Sequence, residues 1–453
     1  MKTRIVCSLT LLFLAGHGLL QAQNFSGDAR KIGLGGIGYS ENVATKMVDE
    51  ERPYSSILIP LGLFQLLQDR DRFDPNNDRF DPVLLMEYAA NPLHYVVGRN
   101  PGGNRARFVR DAVNGELNRN LNVYRGFVPV SSLTAEGLAS PNWGKTIKLR
   151  RRDNGSFQGF YVGAGPYLSA KTALNIDPNL IGVLASATDV SIPNRTFTID
   201  DASTGQLALA ITGGYRARIA WPRRGGAPGS KREGLYIAAN YNHLLGFRYE
   251  SPDIHVRFNT DSSGLLTVLP VTVPVVVNEW TSHSGRGYAI DLGIAAVVDR
   301  WEFGFGANGV ANRINWKNLT GKSYTMLSLV TEGQQGGEFV KQSLPAGPAT
   351  LRVKLPVSYT GSAACHLGNW LVVTELTQGF QGFSAHSGLE RRLGRVELRG
   401  GGRYSLDRWH PSGGIGLDLS RRVSVDVAAF GTTTNIERQL KPSIAVSLRI
   451  NRL

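Results

Sequence analysis

The sequence predicts an all-β fold, a transmembrane antiparallel β-barrel of about fourteen strands with a partly helical, plug-like N-terminal segment. Three observations predict it: apolar and polar residues alternate with period two after Trp143, short turns separate the alternating stretches, and the chain begins with an export signal. A tilted strand needs about 9 to 11 residues to cross a bilayer. Roughly a dozen to sixteen candidate strands lie after residue 144, and single-chain bacterial barrels have even strand numbers, so fourteen is predicted.

The composition fits a large barrel and excludes other classes. The 453-residue chain has 53 glycines, 42% hydrophobic residues and 19% charged residues. With 18 Phe, 15 Tyr and 7 Trp to bury, it does not resemble a disordered chain. Its two cysteines are too few for a disulfide scaffold.

Residues 1–22 have the organisation of a secretory signal peptide. Lys2 and Arg4 precede an apolar run that ends at a small-residue cleavage site. Removal of the peptide takes Cys7 away, leaves Cys365 as the single cysteine, and lowers the formal net charge from +14 to +12 because two cations are lost. The predicted localisation is the cell outer membrane. No later stretch has the roughly 18 consecutive apolar residues of a membrane helix, so if the chain spans a membrane it does so as a barrel.

Residues 23–143 are expected to form a plug or periplasmic segment with the first strand or strands, and residues 144–453 the barrel. Asp and Pro at the start of 81–90 predict a helix there, since Asp is a good N-cap and Pro suits the first helical position. Residues 106–121 have apolar residues near helical spacing and predict a second helix.

The barrel strands follow from alternation and turn signals. Residues 145–152 and 156–169 flank the turn sequence Asp153-Asn154-Gly155. In residues 207–221 the odd positions share one face and the even positions the other. Further strands are predicted at 289–298, 301–310, 395–404, 415–419, 423–427 and 444–450. Residues 256–277 and 333–353 have poor boundaries and are expected to be long outside loops.

A soluble β-sandwich would also alternate, but it would bury its apolar face and expose its charged face to water. In a membrane barrel the apolar face meets lipid, and the other face lines a polar lumen. Four features favour the barrel: strands of about ten residues joined by short turns, aromatic residues near strand ends, small inward-facing residues, and a strand at the C-terminus.

Several motifs resemble the FadL-type outer-membrane transport superfamily, which includes fatty-acid and aromatic-hydrocarbon channels and PorV-like and TraF-like barrels. Residues 28–38 are similar to its opening Ala-Arg-x-x-Gly-x-Gly-Gly segment. Lys354-Leu355-Pro356, residues 386–390 and residues 399–404 are similar to its Leu-Pro, His-x-Gly-x-Glu and Arg-x-Gly-x-Arg-Tyr succession. The resemblance implies a fourteen-stranded barrel, an N-terminal segment folded into or under the lumen, and passage of hydrophobic solutes.

Motifs for catalysis and cofactor binding are incomplete. The glycines of 33–38 lack the preceding strand of a dinucleotide fingerprint, and Gly144-Lys145-Thr146 lacks the first glycine of a phosphate loop. The eight histidines include no metal-ligand pair at helical spacing. His386 and Glu390 share a strand face while Ser387 points away, so these three cannot form a triad without a bulge. The sequence therefore predicts no enzyme, no cofactor and no metal site.

The positive charge has three interpretations. Nucleic acid is not a predicted partner, because Lys and Arg are dispersed along strands and form no basic helix. Binding of lipid headgroups suits cations at strand ends, such as Arg223, Arg224, Arg391, Arg392, Arg421 and Arg422, and outer-membrane lipid and lipopolysaccharide are expected partners of the barrel. An anion-attracting lumen suits the inward-facing arginines.

The inward-facing charged residues form a predicted lumen-lining ladder. Its members are Arg216, Arg218, His386, Glu390, Glu397, Arg399 and Arg403. The ladder is either a solute path or a structural brace. For Glu390, Glu397, Arg399 and Arg403 mutual neutralisation is favoured, since charges removed from bulk water are usually paired.

A second candidate site is an apolar stretch within an expected outside loop. Its residues are Leu265, Leu266, Val268, Leu269 and Val271. Exposed on a loop, they would form a hydrophobic patch that binds solutes. The equally weighted alternative is two edge-like strand pieces kinked by proline.

The leading functional prediction is a bacterial outer-membrane barrel that passively conducts small hydrophobic or amphipathic solutes and is gated by its N-terminal segment. The first alternative is a non-conducting barrel that acts as a secretion or assembly accessory, with a secretion-machinery partner. The second is a secreted soluble β-protein that binds surface glycans.

Overall fold

A computed structural model shows an antiparallel β-barrel, and the described residues include the short helices Ala29–Gly33 and Val43–Glu50. Of the helices in the part of the chain described here, none is long and apolar enough to cross a membrane. The structure describes residues 28–36, 42–50, 56–60, 94–96, 132–139, 143–179, 193–221, 232–263, 266–267, 275–326, 339–345, 347–379, 382–405, 408–420, 423–432 and 441–451.

The described strands belong to one antiparallel sheet. In chain order they are β1 (Ser56–Pro60), β2 (His94–Val96), β3 (Ser132–Ala139), β4 (Trp143–Arg151), β5 (Phe157–Ile176), β6 (Thr196–Ile219), β7 (Gly234–Thr260), β8 (Leu266–Thr267), β9 (Val275–Ser282), β10 (Ser284–Val298), β11 (Trp301–Lys317), β12 (Thr320–Met326), β13 (Phe339–Ser343), β14 (Thr350–Val353), β15 (Ser358–Leu367), β16 (Trp370–Gly379), β17 (Gly382–Leu393), β18 (Val396–Ser405), β19 (Arg408–Asp418), β20 (Val423–Thr432) and β21 (Lys441–Asn451).

Neighbouring strands pair in a continuous row. It runs from β3 and β4 through β5, β6, β7, β10, β11 and β15, then in chain order to β21 and β1. Three positions are shared by two segments end to end: β3 with β4, β14 with β15, and β1 with β2.

The strand count differs from the prediction. The described residues contain 21 strand segments rather than fourteen. If two segments that lie end to end are counted as one position, the row itself has fourteen positions. Interrupted strands account for part of the difference. The rest comes from β8, β9, β12 and β13, which extend from β7 beyond the wall. Alternation reveals neither feature.

The two ends of the barrel differ in their connections. At one end, short turns follow β4, β10, β15 and β17, and the first residue of β1 pairs with the last of β21. The predicted turns at Gly155 and Asp299 are confirmed, with positive φ angles of 86° and 53° that favour Gly and Asp or Asn. In bacterial barrels the short turns face the periplasm. We therefore name this the periplasmic end and the opposite one the outer end.

The predicted alternation is confirmed, and it separates an outward apolar face from a polar lumen. On β6, Ile211 is 46% exposed while Thr212 is 1% exposed, and Arg216 is buried. On β11, Phe303 and Phe305 are exposed large apolar side chains. A soluble fold would bury such a band. An apolar band around a buried polar interior is the arrangement of a transmembrane barrel.

Two expectations about the outer end are corrected. Residues 256–277 and 333–353 are not simply loops, because β7 continues to Thr260, β9 begins at Val275, and β13 and β14 lie in the second range. Antiparallel pairing buries Ile254 opposite Val277 and thereby stabilises the extra strand length. We name this sheet, formed by residues 196–206 and 249–260 with β9, β12 and β13, the outer extension.

Part of the N-terminal prediction falls on residues that the structure leaves undescribed. The signal peptide and the helices predicted at 81–90 and 106–121 lie outside the described residues. The helices that are described begin at Ala29 and Val43, where the sequence analysis predicted none. Their short length and glycine-rich surroundings conceal them from periodicity arguments.

Candidate functional site

The first helix lies inside the barrel against the inner faces of β18 to β21. Asp28 caps it, because its Oδ1 accepts a hydrogen bond from the backbone N–H of Arg30 at 2.9 Å. After Leu34 the chain turns at Gly35, whose φ of 86° suits glycine. Ala29 and Ile32 are buried against Ala428 and Ala445 of the wall. This arrangement directs the side chain of Arg30 towards β17.

Arg30 joins the N-terminal segment to the wall through Glu390. Its Nε donates to Glu390 Oε2 at 2.8 Å, and its Nη2 donates to Oε1 at 2.6 Å. Such two-point pairing is strong and directional, because the guanidinium fork matches the carboxylate. The ion pair connects residues 360 positions apart in the sequence. It is therefore a tertiary contact between the lumen segment and the barrel.

Behind this pair lies a network within the wall. Arg399 donates from Nε to Glu390 Oε2 at 2.7 Å and from Nη1 to Asp426 Oδ1 at 2.6 Å. It also pairs with Glu397, and Arg449 pairs with Asp426. The side chain of Arg399 is fully buried and that of Asp426 is 1% exposed. Burial of these charges is tolerable because each has an opposite charge at hydrogen-bond distance.

Hydrogen bonds to the backbone hold the segment at further points. His386 Nδ1 lies 2.8 Å from the carbonyl oxygen of Gly35, and it must donate because a carbonyl only accepts. Ser412 Oγ accepts from Gly35 N–H at 3.0 Å and donates to the Gly33 carbonyl at 3.3 Å. Ser447 Oγ accepts from the N–H of Ala29 at 3.2 Å. Three wall strands therefore satisfy polar groups of the segment.

Glycines on the wall let the segment approach at backbone distance. A Cβ on Gly401 would lie 2.5 Å from Gly35 N, and one on Gly388 would overlap the carbonyl of Leu34. Real Cβ atoms do not approach backbone so closely. The small inward residues predicted from the sequence therefore form a seat for the segment.

The second helix occupies the opposite wall. Asn42 caps it by accepting from the N–H groups of Ala44 and Thr45, each at 2.8 Å. The helix lies against β10 and β11. A Cβ on Gly293 would lie only 2.8 Å from the backbone nitrogen of Ala44, so the glycine gives the helix the space it needs. Val43, Ala44, Met47 and Val48 pack with Phe157, Tyr236, Ala238, Ala295 and Val297. The two helices therefore touch opposite sides of the barrel interior.

The structure divides the predicted ladder into two groups. Glu390 pairs with Arg30 of the first helix, His386 bonds to Gly35 just beyond that helix, and Glu397 and Arg399 belong to the wall network behind them. Arg403 is buried on the same wall, in register with His386 and His410. Arg216 and Arg218 lie on the other wall.

The two arginines of that other wall have aromatic neighbours. The Arg216 guanidinium lies 4.5 Å from the centroid of Tyr161, and that of Arg218 lies 5.6 Å from the centroid of Tyr236. These arrangements are cation–π contacts. The positive charge of this wall is therefore distributed over aromatic faces as well as backbone carbonyls.

The apolar candidate site remains a prediction. Leu266 lies in β8, and the other members, Leu265, Val268, Leu269 and Val271, lie outside the described residues. The expected separation of Ser387 from His386 and Glu390 is found, since Ser387 is on the exposed face and the other two are buried. Among the described residues, no group of three His, Cys, Asp or Glu side chains is placed to hold a metal ion.

Sequence reasoning missed four members of the site: Asp28, Arg30, Asp426 and Arg449. The signal for Asp426 and Arg449 was present, since both occupy the polar face of an alternating strand and carry opposite charges. Arg30 lies in the motif at residues 28–38, but the sequence held no signal for its partner, which is set by where the helix lies in the lumen.

Together these features define a class, a transmembrane β-barrel of the outer-membrane type whose lumen holds an N-terminal segment of its own chain. A comparison with family models and one with characterised proteins find no match.

Among solved structures, the protein is similar to the toluene transporter TodX of Pseudomonas putida, with a TM-score of 0.32 and 12% identity over 79% of this chain and 95% of that one. A TodX ΔS2S3 mutant, described as a monoaromatic hydrocarbon channel, has a TM-score of 0.34 and 12% identity over 72% and 91%. Outer membrane phospholipase A from Escherichia coli has a TM-score of 0.23 and 11% identity over 54% and 81%.

Proposed function

We propose that the protein is an outer-membrane channel for small hydrophobic or amphipathic solutes, and that residues 28–36 close it. The observation that carries the proposal is the two-point ion pair between Arg30 and Glu390, which ties the lumen segment to the wall without a covalent bond. Conduction of this kind is passive and requires no catalytic residue.

The wall network supports a releasable segment. When Arg30 leaves, Glu390 keeps the hydrogen bond from Arg399, so no buried carboxylate is stranded. Removing one partner of a buried pair is costly mainly because it leaves an uncompensated charge. Because Glu390 keeps a positively charged partner in the wall, release of the segment costs less free energy.

The character of the lumen supports hydrophobic solutes. Towards the outer end, the inner faces of β5 to β11 carry a buried apolar cluster of Tyr167, Ala208, Ala210, Leu244, Tyr249, Ala289, Ile314 and Trp316. Trp316 lies over Gly246 and Gly285, and Tyr249 lies 5.6 Å from it between ring centroids. Such a surface favours apolar solutes over ions. The motif resemblance to hydrocarbon and fatty-acid channels points the same way.

The test is flux through refolded protein in lipid vesicles. Because β1 to β3 belong to the sheet, a deletion must end before Ser56; removal of residues 23–50 and the substitution Arg30→Ala are the appropriate variants. We expect faster uptake of a labelled fatty acid or toluene in both variants than in the full chain. Arg300→Ala, at an exposed periplasmic turn, is the matched control and should leave uptake unchanged.

A second candidate is a closed accessory barrel for secretion or assembly. The absence of space for a Cβ at Gly388 and Gly401 favours it, because the seated segment leaves no gap against that wall. If neither variant conducts although the barrel shows heat-modifiable migration on a gel, the channel proposal fails and this candidate replaces it.

A further inference from the structure

The outward surface near the outer end carries a group of basic residues on four adjacent positions of the wall. We name it the outer basic patch; its residues are His243, Arg286, Arg313, Lys317 and Arg352. Tyr288 of β10 pairs with both His243 and Arg313, and Asn315 of β11 pairs with both Arg286 and Arg352. Cross-strand partners lie about 5 Å apart, so the patch is continuous.

The register shows that the patch faces away from the lumen. β10 pairs with β7 without a break from Gly285 to Val297. Arg286 therefore shares its face with Leu292 and Ile294, which are exposed apolar residues, whereas Gly285 and Ala289 on the other face are buried. The patch thus belongs to the surface that carries the apolar band.

Its height corresponds to a membrane surface. Twelve residues separate Val298, at the periplasmic end of β10, from Arg286. At about 3.4 Å per residue and a tilt of about 45°, they cover ~29 Å of depth. A hydrocarbon core is about 30 Å thick. Arg286 consequently lies at the headgroup level of the outer leaflet.

The charge of the patch is uncompensated within the described residues. Arg286, Arg313, Lys317 and Arg352 have no carboxylate partner among them, and the nearest acid along β7, Glu250, is paired with Arg248 at 2.6 Å. Two cations at the periplasmic end do have carboxylate partners: Arg392 pairs with Asp418 at 2.9 Å and Arg300 with Asp299 at 3.9 Å.

Aromatic residues orient the patch. The guanidinium of Arg313 lies 5.1 Å from the centroid of Tyr288, and Tyr241 stacks on Tyr288 at 6.2 Å. Aromatic rings are enriched at membrane interfaces because one end of the ring is apolar and the other wet. A cation over such a ring retains free N–H donors for an anion.

We propose that the outer basic patch binds the phosphate groups of a phosphorylated glycolipid, the lipopolysaccharide of the outer leaflet. Guanidinium groups bind phosphate at two points, and several of them at one level fit the two phosphates of its lipid A headgroup. The inference rests on the outer-membrane placement of the barrel and is independent of conduction.

The experiment measures binding of bisphosphorylated lipid A to refolded full chain in detergent micelles. The variant Arg286→Gln, Arg313→Gln, Arg352→Gln removes three patch cations. Its control, Arg300→Gln, Arg391→Gln, Arg395→Gln, removes three cations from the periplasmic end. We expect at least about tenfold weaker binding in the patch variant, since each cation near an anionic surface contributes appreciably. The control should bind like the native chain.

Two further arms use the native protein alone, in case the triple variant does not fold. Monophosphorylated lipid A and phosphatidylglycerol should each bind at least about tenfold more weakly than the bisphosphorylated form. Equal binding of all three lipids, or an equal loss in both triple variants, overturns the proposal. Failure of the channel proposal would appear only in the flux assay and would leave lipid A binding intact.

Discussion

At the scale of single residues, the lumen site depends on Arg399. This side chain contacts Glu390, Glu397 and Asp426, and no solvent reaches it. A lysine could not replace it, because a single ammonium cannot direct donors to carboxylates on three strands at once. Arg399 therefore neutralises the wall while leaving Glu390 able to bind Arg30.

We predict that Arg399→Ala destabilises the barrel by about 3–5 kcal/mol, because it leaves buried carboxylates with reduced compensation. The measurement is the urea midpoint of the heat-modifiable form on a gel. Arg395→Ala, at an exposed position in the turn between β17 and β18, should change stability by less than about 0.5 kcal/mol. Equal midpoints for the two variants would show that the network contributes nothing.

The same residues show what a sequence can predict. Alternation places His386, Glu390 and Arg399 on the inward face, and the structure agrees. It does not identify their partner, because period two determines the face of a strand and not the distant segment that meets that face. Arg30 reaches Glu390 only because a capped helix lies in the lumen. This is a tertiary outcome without local signature.

At the scale of elements, the fit between the first helix and the wall depends on glycine. Gly400 and Gly401 are consecutive on β18 but face opposite ways: a Cβ on Gly400 would meet nothing within 4 Å, whereas one on Gly401 would lie 2.5 Å from the segment. The seat was predictable as a run of small inward residues, and the motif resemblance implied an N-terminal segment in or under the lumen, but which residues of that segment meet which glycines was not predictable.

We predict that Gly401→Val displaces residues 28–36 from the lumen and that Gly400→Val does not. Both changes add the same side chain to the same strand, so strand propensity is matched. Trypsin should cleave after Arg30 or Lys31 in the Gly401 variant while the barrel stays intact, as mass spectrometry would show. Cleavage in both variants, or in neither, would refute the role of the seat.

At the scale of the whole molecule, the protein consists of a barrel in the membrane and an outer extension beyond it. Polar contacts in the two parts differ in kind. The lumen network consists of buried ion pairs, whereas His255 in the outer extension is partly exposed, with Nδ1 at 2.6 Å from Asp200 and Nε2 at 3.1 Å from Asp253. His255 therefore gives the outer extension a pH-sensitive contact.

The hydrogen bond to Asp200 raises the pKa of His255 above its ordinary value of 6.5, and the attraction of Asp253 adds to this against the opposing effect of burial. A raised pKa means that the stabilisation is complete below pH 6.5 and is lost as pH rises through the higher value.

Histidine-labelled NMR in micelles would measure that pKa. Asp200→Asn should lower it most, Asp253→Asn less, and Asp299→Asn at the periplasmic end not at all. Amide hydrogen exchange at residues 253–257 should become faster as pH rises, by more than the intrinsic pH dependence of exchange. This extra acceleration should be larger in the native chain than in Asp200→Asn. An unchanged pKa in Asp200→Asn would mean that the outer extension is not held by this pair.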